Sequence, residues 1–183
     1  MSRERIIHEW TLRAGLRLFL LFLVLSVVLR QGMPERYPVR FDAGMEPTRW
    51  AEGPGMWILL VALCSFSFGK GYLFQRWVLT DPDTQLLNVP HKQLFHRLPR
   101  ERRIPVVRRA HRLLGLCNVG LVLLFILILL LTYHGSRHPD GVAFAVARWS
   151  FWIVVASMTL VPLAEAWALS RMVKRKLVEE GLL

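Results

Sequence analysis

The sequence is poor in cysteine, in acidic residues and in recognisable catalytic motifs. Its 183 residues include two cysteines, Cys64 and Cys117, which are too few for a small secreted domain stapled by disulfides. Asp and Glu number 13 against 24 Lys and Arg, so the formal net charge is +11. No nucleophile elbow, HExxH zinc motif or phosphate-binding loop occurs. We therefore predict a non-enzymatic protein with no catalytic residues.

The six histidines do not indicate a haem or a metal centre. All of them lie outside the apolar stretches or at their ends, whereas a bis-histidine haem needs histidines at similar depth inside facing helices. His134 and His138 have a spacing of four that could suit a metal in a helix. The glycine, serine and proline around them argue against a helix there. We therefore predict no metal and no cofactor.

The sequence does contain long apolar stretches. It is 54% hydrophobic, which excludes a disordered chain and exceeds what a basic nucleic-acid binder needs. Four apolar stretches cover about 14–29, 56–73, 113–133 and 149–169, close to the roughly 20 residues of a spanning helix. No cleavage site of the A-x-A type follows the first stretch, so we expect a retained anchor and not a signal peptide. The prediction is an all-α integral membrane protein with four transmembrane helices.

The basic residues predict the orientation of these helices. Six of the 24 lie in the segments after the first and third stretches, and the remaining 18 lie in the N-terminal segment, the middle loop and the tail. The positive-inside rule then places both termini and the middle loop in the cytoplasm. The seven tryptophans lie at the ends of the stretches, as an aromatic belt requires.

The middle loop contains a dense basic run at 96–103, His-Arg-Leu-Pro-Arg-Glu-Arg-Arg. Because the topology already demands positive charge there, we interpret the run as an anchor on an anionic leaflet. Specific lipid binding is the alternative, and we predict no nucleic-acid partner. We also expect a short helix near 99–112 within this loop.

The segment at 31–55 is rich in proline and glycine and is too short to fold alone. It therefore has to rest on the helix ends or on the bilayer. We expect an extended piece at 37–41, a turn at 42–45 and a step through Glu46 and Pro47 into Trp50. By the predicted topology this loop faces outside.

Two loops together resemble the family called domain of unknown function 1648. The outer loop carries the matches Met33-Pro34, Pro38, Phe41, Asp42, Pro47 and Trp50. The middle loop carries Asn88, Val89, Pro90, Lys92, Pro99, Arg102 and Arg103. The family usually has His, Gly and Asp at the positions that are here Arg40, Met45 and Thr48. The resemblance covers about residues 14–115.

The resemblance implies a small multi-pass protein of the bacterial cytoplasmic (inner) membrane. The better understood members are immunity proteins against secreted peptide toxins, and some of them are also membrane-bound signal receptors. It implies a family-like region at 1–133, with the outer loop at 31–55 and the basic loop at 75–112. The fourth span and the basic tail then make up residues 134–183.

In this interpretation the outer loop meets a peptide ligand or another membrane protein. We expect Arg40, Asp42, Glu46 and Trp50 to make that contact. The basic loop would report to a cytoplasmic regulatory protein. The oligomeric state is left open, and a homo-oligomer is one alternative.

Three polar residues lie near the cytoplasmic ends of the apolar stretches, namely Lys70, Asn118 and Glu165. Because ionisable residues in spans usually face the bundle and pair, we predict a Lys70–Glu165 contact with Asn118 nearby. We favour a structural pin over a proton or substrate relay. A transport component that uses this site is the alternative function, and a membrane enzyme is the third.

Small residues at helical spacing predict a packing seam. Ala62, Ser65 and Gly69 share one face of the second stretch, and Ala164 and Ala168 share one face of the fourth. Small side chains let helices approach closely in lipid.

Overall fold

The computed structural model describes residues 9–78 and 81–183, with the side chains of Glu9 and Val78 left aside. The basic residues Arg3 and Arg5 of the orientation prediction lie outside these ranges. The long helices are α1 (Glu9–Gln31), α2 (Gly55–Leu73), α4 (Arg100–Arg137) and α5 (Val142–Glu179). A short helix, α3, spans Lys92–Phe95, and the strands are β1 (Arg36–Phe41) and β2 (Pro47–Glu52).

The four long helices confirm the predicted apolar spans. Each is long and apolar enough to cross a bilayer, α2 together with the π-helical turn Phe74–Val78 that follows it. In their most apolar windows only 11 to 28% of the residues are buried inside the chain. The rest of this apolar surface needs an apolar surrounding, which a bilayer provides.

Most of the tryptophan side chains lie on the surface of the chain, where an aromatic belt at a membrane interface needs them. Six of the seven are exposed, by 40 to 68% of their surface. Trp57 is instead 5% exposed, because it packs inside the chain. The assignment of all seven tryptophans to the membrane interface stays a prediction, and Trp57 also has a packing role within the chain.

Helix α4 differs from the prediction of a separate short helix near 99–112. It runs without a break from Arg100 to Arg137, or about 57 Å at 1.5 Å per residue. This exceeds the roughly 30 Å of a hydrocarbon core, so a large part of α4 lies beyond its apolar segment. Nothing between Arg112 and Leu113 can end a helix, and Pro105 is tolerated near the helix start.

The expectation that no helix holds His134 and His138 was wrong for His134. The helix includes His134 and Gly135, and a β-carbon on Gly135 would lie 3.1 Å from the ring of Phe144. Gly135 therefore serves a close approach and not a helix end. Among the side chains that the structure describes, no group of three His, Cys, Asp or Glu could hold a metal ion.

Strands β1 and β2 form an antiparallel hairpin, with Arg36 opposite Glu52 and Pro38 opposite Trp50. The extended piece at 37–41 is confirmed as part of β1. The stretch predicted as a step into Trp50 is a second strand, so the all-α prediction was wrong in this detail. The ladder shifts register on either side of Arg40, which marks an irregular end near the turn.

The chain divides into two compact units. One, which we call the hairpin unit, comprises Leu16–Phe68 and Gly120–Met158. Inside it the rings of Phe19 and Phe68 stack with centroids 4.5 Å apart. Gly120 lets the side chain of Met158 approach its helix closely.

The other unit, which we call the basic unit, comprises Met1–Gly15, Gly69–Val119 and Thr159–Leu183. It has its own apolar core, to which the middle loop, α3, α4 and α5 all contribute. The buried members are Leu87, Val89, Phe95, Leu98, Val106, Val107, Ala110, Leu169, Val173 and Leu177. The middle loop and the tail are therefore packed against each other and are not a solvated linker and a free end.

Candidate functional site

Tyr37 fixes the hairpin to the helices of its unit. Its side chain is 1% exposed, and its hydroxyl donates to the carbonyl of Gly53 at 2.7 Å. Its ring meets the ring of Trp57 edge-on, with centroids 6.3 Å apart. The indole N–H of Trp57 in turn donates to the carbonyl of Ser26 at 3.0 Å. This chain of contacts joins β1 to α2 and α2 to α1.

The turn of the hairpin is fixed by Asp42 and Met45. The Asp42 carboxylate accepts the backbone N–H of Glu46 at 2.9 Å, and the Asp42 N–H donates to the Glu46 carbonyl at 3.0 Å. Met45 has a φ of 63°, a left-handed conformation that glycine adopts more readily. Its side chain is nevertheless buried with Leu131 and Phe144. The apolar contact offsets the strained backbone.

Two arginines from the helices hold the neighbouring backbone. Arg148 of α5 donates to the carbonyl of Gly44 in the turn at 3.3 Å. Arg137 of α4 donates to the carbonyl of Gly32, just after α1, and its guanidinium lies 5.0 Å from the Tyr133 ring centroid. The hairpin is thus held at its turn and at its entry.

The four residues predicted to contact a ligand all lie on this hairpin and are exposed. They are Arg40, Asp42, Glu46 and Trp50. Asp42 and Glu46 also close the turn, so part of their bonding capacity is structural. Arg40 and Trp50 lie on opposite strands, and Trp50 is 40% exposed. Their contact with a ligand stays a prediction.

Sequence reasoning missed Arg36 and Arg49, which the strand pairing brings to the same hairpin. Arg49 is the cross-strand partner of Arg40, and the Arg36 guanidinium lies 5.8 Å from the Trp50 ring centroid. Like charges directly opposite each other on a hairpin are unfavourable. Among the residues that the structure describes, no carboxylate lies within 4.0 Å of Arg40 or Arg49. The hairpin therefore places these arginines, together with the exposed acidic residues Asp42, Glu46 and Glu52, beside an exposed tryptophan.

The basic unit contains the other predicted cluster, and Glu165 has a specific partner there. Its carboxylate accepts a hydrogen bond from Arg109 Nε at 2.7 Å, and the two side chains are only 19% and 33% exposed. The sequence predicted Arg109 to lie in the middle loop. Because α4 is continuous from Arg100, Arg109 lies on this helix and faces Glu165 of α5. Lys70 is exposed, and its predicted contact with Glu165 stays a prediction.

Asn118 lies against α2 at Gly71, which directly follows Lys70 in the sequence. A β-carbon on Gly71 would lie 2.1 Å from Asn118 Oδ1, so the glycine makes room for this side chain. Asn118 is 7% exposed, and its Nδ2 finds no hydrogen-bond acceptor within the described part of the chain. Its role is close packing between α4 and α2.

A buried polar trio in the basic unit was not predicted. Gln75 Nε2, in the π-helical turn, donates to Thr11 Oγ1 at 2.9 Å and to the His111 carbonyl at 3.2 Å. It also lies 3.4 Å from His111 Nδ1. All three residues are at most 1% exposed. Gln75 is a polar residue between the aromatic residues Phe74 and Trp77, at the end of an apolar stretch. This polar residue in an apolar context was the only sequence signal for the trio.

Carboxylates from the same unit neutralise the basic run. Arg103 binds Asp83 at 2.6 Å, and Arg100 lies 3.8 Å from the same carboxylate. Arg102 lies 3.2 Å from Glu179 and 3.1 Å from Glu180 in the tail. These arginines connect α4 to the middle loop and to the tail. The interpretation of the basic run as an anchor on the leaflet did not predict these contacts.

The four apolar helices define the chain as a helical membrane protein that carries a small β-hairpin. No protein-family model, no curated protein and no solved structure matches it. Its resemblance to the domain of unknown function 1648 family stays a prediction, and so does the division at residue 133.

Proposed function

We propose that this chain is a non-enzymatic protein of the bacterial cytoplasmic membrane, of the toxin-immunity or sensor type. Both termini and the basic unit face the cytoplasm, and the hairpin faces outside. The hairpin binds a peptide ligand or another membrane protein there. The basic unit then reports binding at the hairpin to a cytoplasmic regulatory partner.

The observation that supports this proposal most is the contrast between the buried and the exposed side chains of the hairpin. Tyr37 and Met45, which are 1% and 5% exposed, fix the hairpin to the helices. Trp50, Arg36, Arg40 and Arg49 are exposed, and the Arg36 guanidinium lies 5.8 Å from the Trp50 ring centroid. Tryptophan and arginine are the residue types that most often dominate binding energy, and an ordered surface loses less entropy on binding.

Transport through the Lys70 and Glu165 region is the alternative function. A relay across a membrane needs a series of ionisable groups at successive depths. The Glu165 carboxylate is held at 2.7 Å by Arg109, its neighbour on α4. This pair supports a structural pin between α4 and α5, and we therefore rank transport second.

The Trp50→Ala variant tests the proposal. It removes an exposed indole without touching the anchor, and a central interface tryptophan contributes at least about 2 kcal/mol, or roughly 30-fold in affinity. We expect cells that carry it to become about that much more sensitive to the secreted peptide toxin of a competing strain. The measurement is a growth-inhibition titration with the purified peptide, with membrane levels checked by immunoblot.

Trp149→Ala is the matched control, because Trp149 is also exposed, at 64%, but lies on α5 outside the hairpin. It should protect like the wild type. Full protection by Trp50→Ala at normal membrane levels would remove the hairpin from the proposed function.

A further inference from the structure

The arginines of the basic unit divide into two sets that the sequence does not distinguish. In one set each guanidinium lies within 4.0 Å of a carboxylate, and its members are Arg100, Arg102, Arg103, Arg109 and Arg175. These side chains already have an anionic partner inside the protein. They are poorly suited to bind a second anion.

Arg108 and Arg112 of α4 belong to the other set. Both are exposed, and no carboxylate of residues 10–77 or 81–183 lies within 4.0 Å of either. They are four residues apart on one helix, so their side chains are neighbours on one face, with Cβ atoms about 6 Å apart. The opposite face of the same turns is buried through Val106 and Ala110. The two guanidiniums therefore point away from the core of the unit.

This pair lies at the level where α4 enters its apolar segment. Arg112 directly precedes Leu113, the first residue of that segment. On α5, the Arg109 contact marks the same level at Glu165. Two residues further along, the exposed ring of Trp167 lies 3.8 Å from the Arg171 guanidinium. An exposed tryptophan stacked with arginine at a span end is typical of the headgroup layer.

We propose that Arg108 and Arg112 bind the phosphate of an anionic phospholipid headgroup in the adjoining leaflet. A guanidinium donates two parallel N–H bonds to phosphate oxygens, and two guanidiniums on one face can hold one phosphodiester from both sides. The acyl chains then lie along the apolar part of α4 that follows Leu113. The site is distinct from the hairpin and does not depend on the proposed function.

The test compares two double variants that remove the same charge. R108Q/R112Q removes the unpaired guanidiniums, and R100Q/R102Q removes two that are held by carboxylates. Each full-length protein is purified in mild detergent, incubated with equal amounts of phosphatidylglycerol and phosphatidylcholine, and analysed for retained lipid by native mass spectrometry. We expect the wild type and R100Q/R102Q to retain phosphatidylglycerol preferentially, and R108Q/R112Q to retain about tenfold less.

Equal loss in both double variants would mean diffuse attraction by net charge and would overturn the site. Unchanged retention in R108Q/R112Q would overturn it as well. If that variant does not fold, R108K/R112K keeps the charge but loses the two-pronged geometry, and it should retain clearly less lipid than the wild type. An excess of inorganic phosphate should leave the retained lipid in place. Its displacement would point to a site for free phosphate and would contradict the lipid assignment.

Discussion

A Gly115→Ala variant is expected to lose about 1–3 kcal/mol of folding free energy, because its new methyl group has no space. A β-carbon at this position would lie 2.4 Å from Thr11 Oγ1, 2.5 Å from Thr11 Cβ and 2.5 Å from Gln75 Nε2. Thr11 and Gln75 are 1% exposed and bonded to each other, so neither can move without breaking that bond. Alanine favours a helix over glycine by about 1 kcal/mol, and here the steric clash outweighs that gain.

Gly69→Ala is the matched control, since no atom of the described part of the chain lies within 4 Å of a β-carbon at Gly69. Its unfolding midpoint should stay the same or rise slightly. Thermal unfolding of both purified variants in detergent makes the comparison, and equal midpoints would contradict the packing described for Gly115. Within the described part of the chain, close packing on α2 therefore occurs at Gly71, against Asn118, and not at Gly69, and the predicted seam of small residues stays a prediction.

A Tyr37→Ala variant is expected to release the hairpin from its helices. Removing a fully buried aromatic ring costs about 3–5 kcal/mol, and the local stability of a two-stranded hairpin is smaller than that. The hydrogen bond to the Gly53 carbonyl and the contact with Trp57 are lost together. Limited trypsin digestion should then cleave after Arg40 and Arg49 much faster than in the wild type.

Tyr37→Phe separates the two contributions. It keeps the ring and removes only the hydroxyl, whose hydrogen bond is worth about 1 kcal/mol. This variant should digest only slightly faster than the wild type. Wild-type digestion rates in Tyr37→Ala would mean that Tyr37 does not hold the hairpin in place.

The apolar spans could be predicted because each is specified locally, by a run of residues that tolerates no other environment. The basic loop was harder. Its charges suggested a solvated segment, yet Leu87, Phe95 and Leu98 are buried and pack against α4 and α5. Their spacing has no regular period, so only the tertiary structure identifies them as core residues.

Only the first strand of the hairpin was predicted, and the second was missed for a similar reason. Strand β1 contains Tyr37 and Pro38 as buried residues, but the sequence of β2, Pro-Thr-Arg-Trp-Ala-Glu, does not alternate between apolar and polar residues. Backbone pairing with β1 creates this strand, and local propensity does not predict it. The partners of Arg40 and Trp50 therefore became known only with the register.

The contacts of the polar residues Glu165 and Gln75 also depend on tertiary structure that the sequence does not specify locally. Charge and depth suggested Lys70 as the partner of Glu165, and that contact stays a prediction. The observed salt bridge is with Arg109, which depends on α4 being one continuous helix through residue 112. The Thr11, Gln75 and His111 trio joins three segments that are far apart in sequence, and no local pattern could have brought them together.

The central claim is that the hairpin lies outside the cell and the basic unit inside. Labelling of single cysteines with a membrane-impermeant maleimide tests it, in a background with Cys64→Ser and Cys117→Ser. Glu46→Cys and Gln93→Cys suit this purpose because both positions are exposed, whereas Met45 and Phe95 nearby are buried. In intact cells the account predicts labelling at position 46 and none at position 93 until the cells are lysed. Labelling at 93 but not at 46 would contradict it.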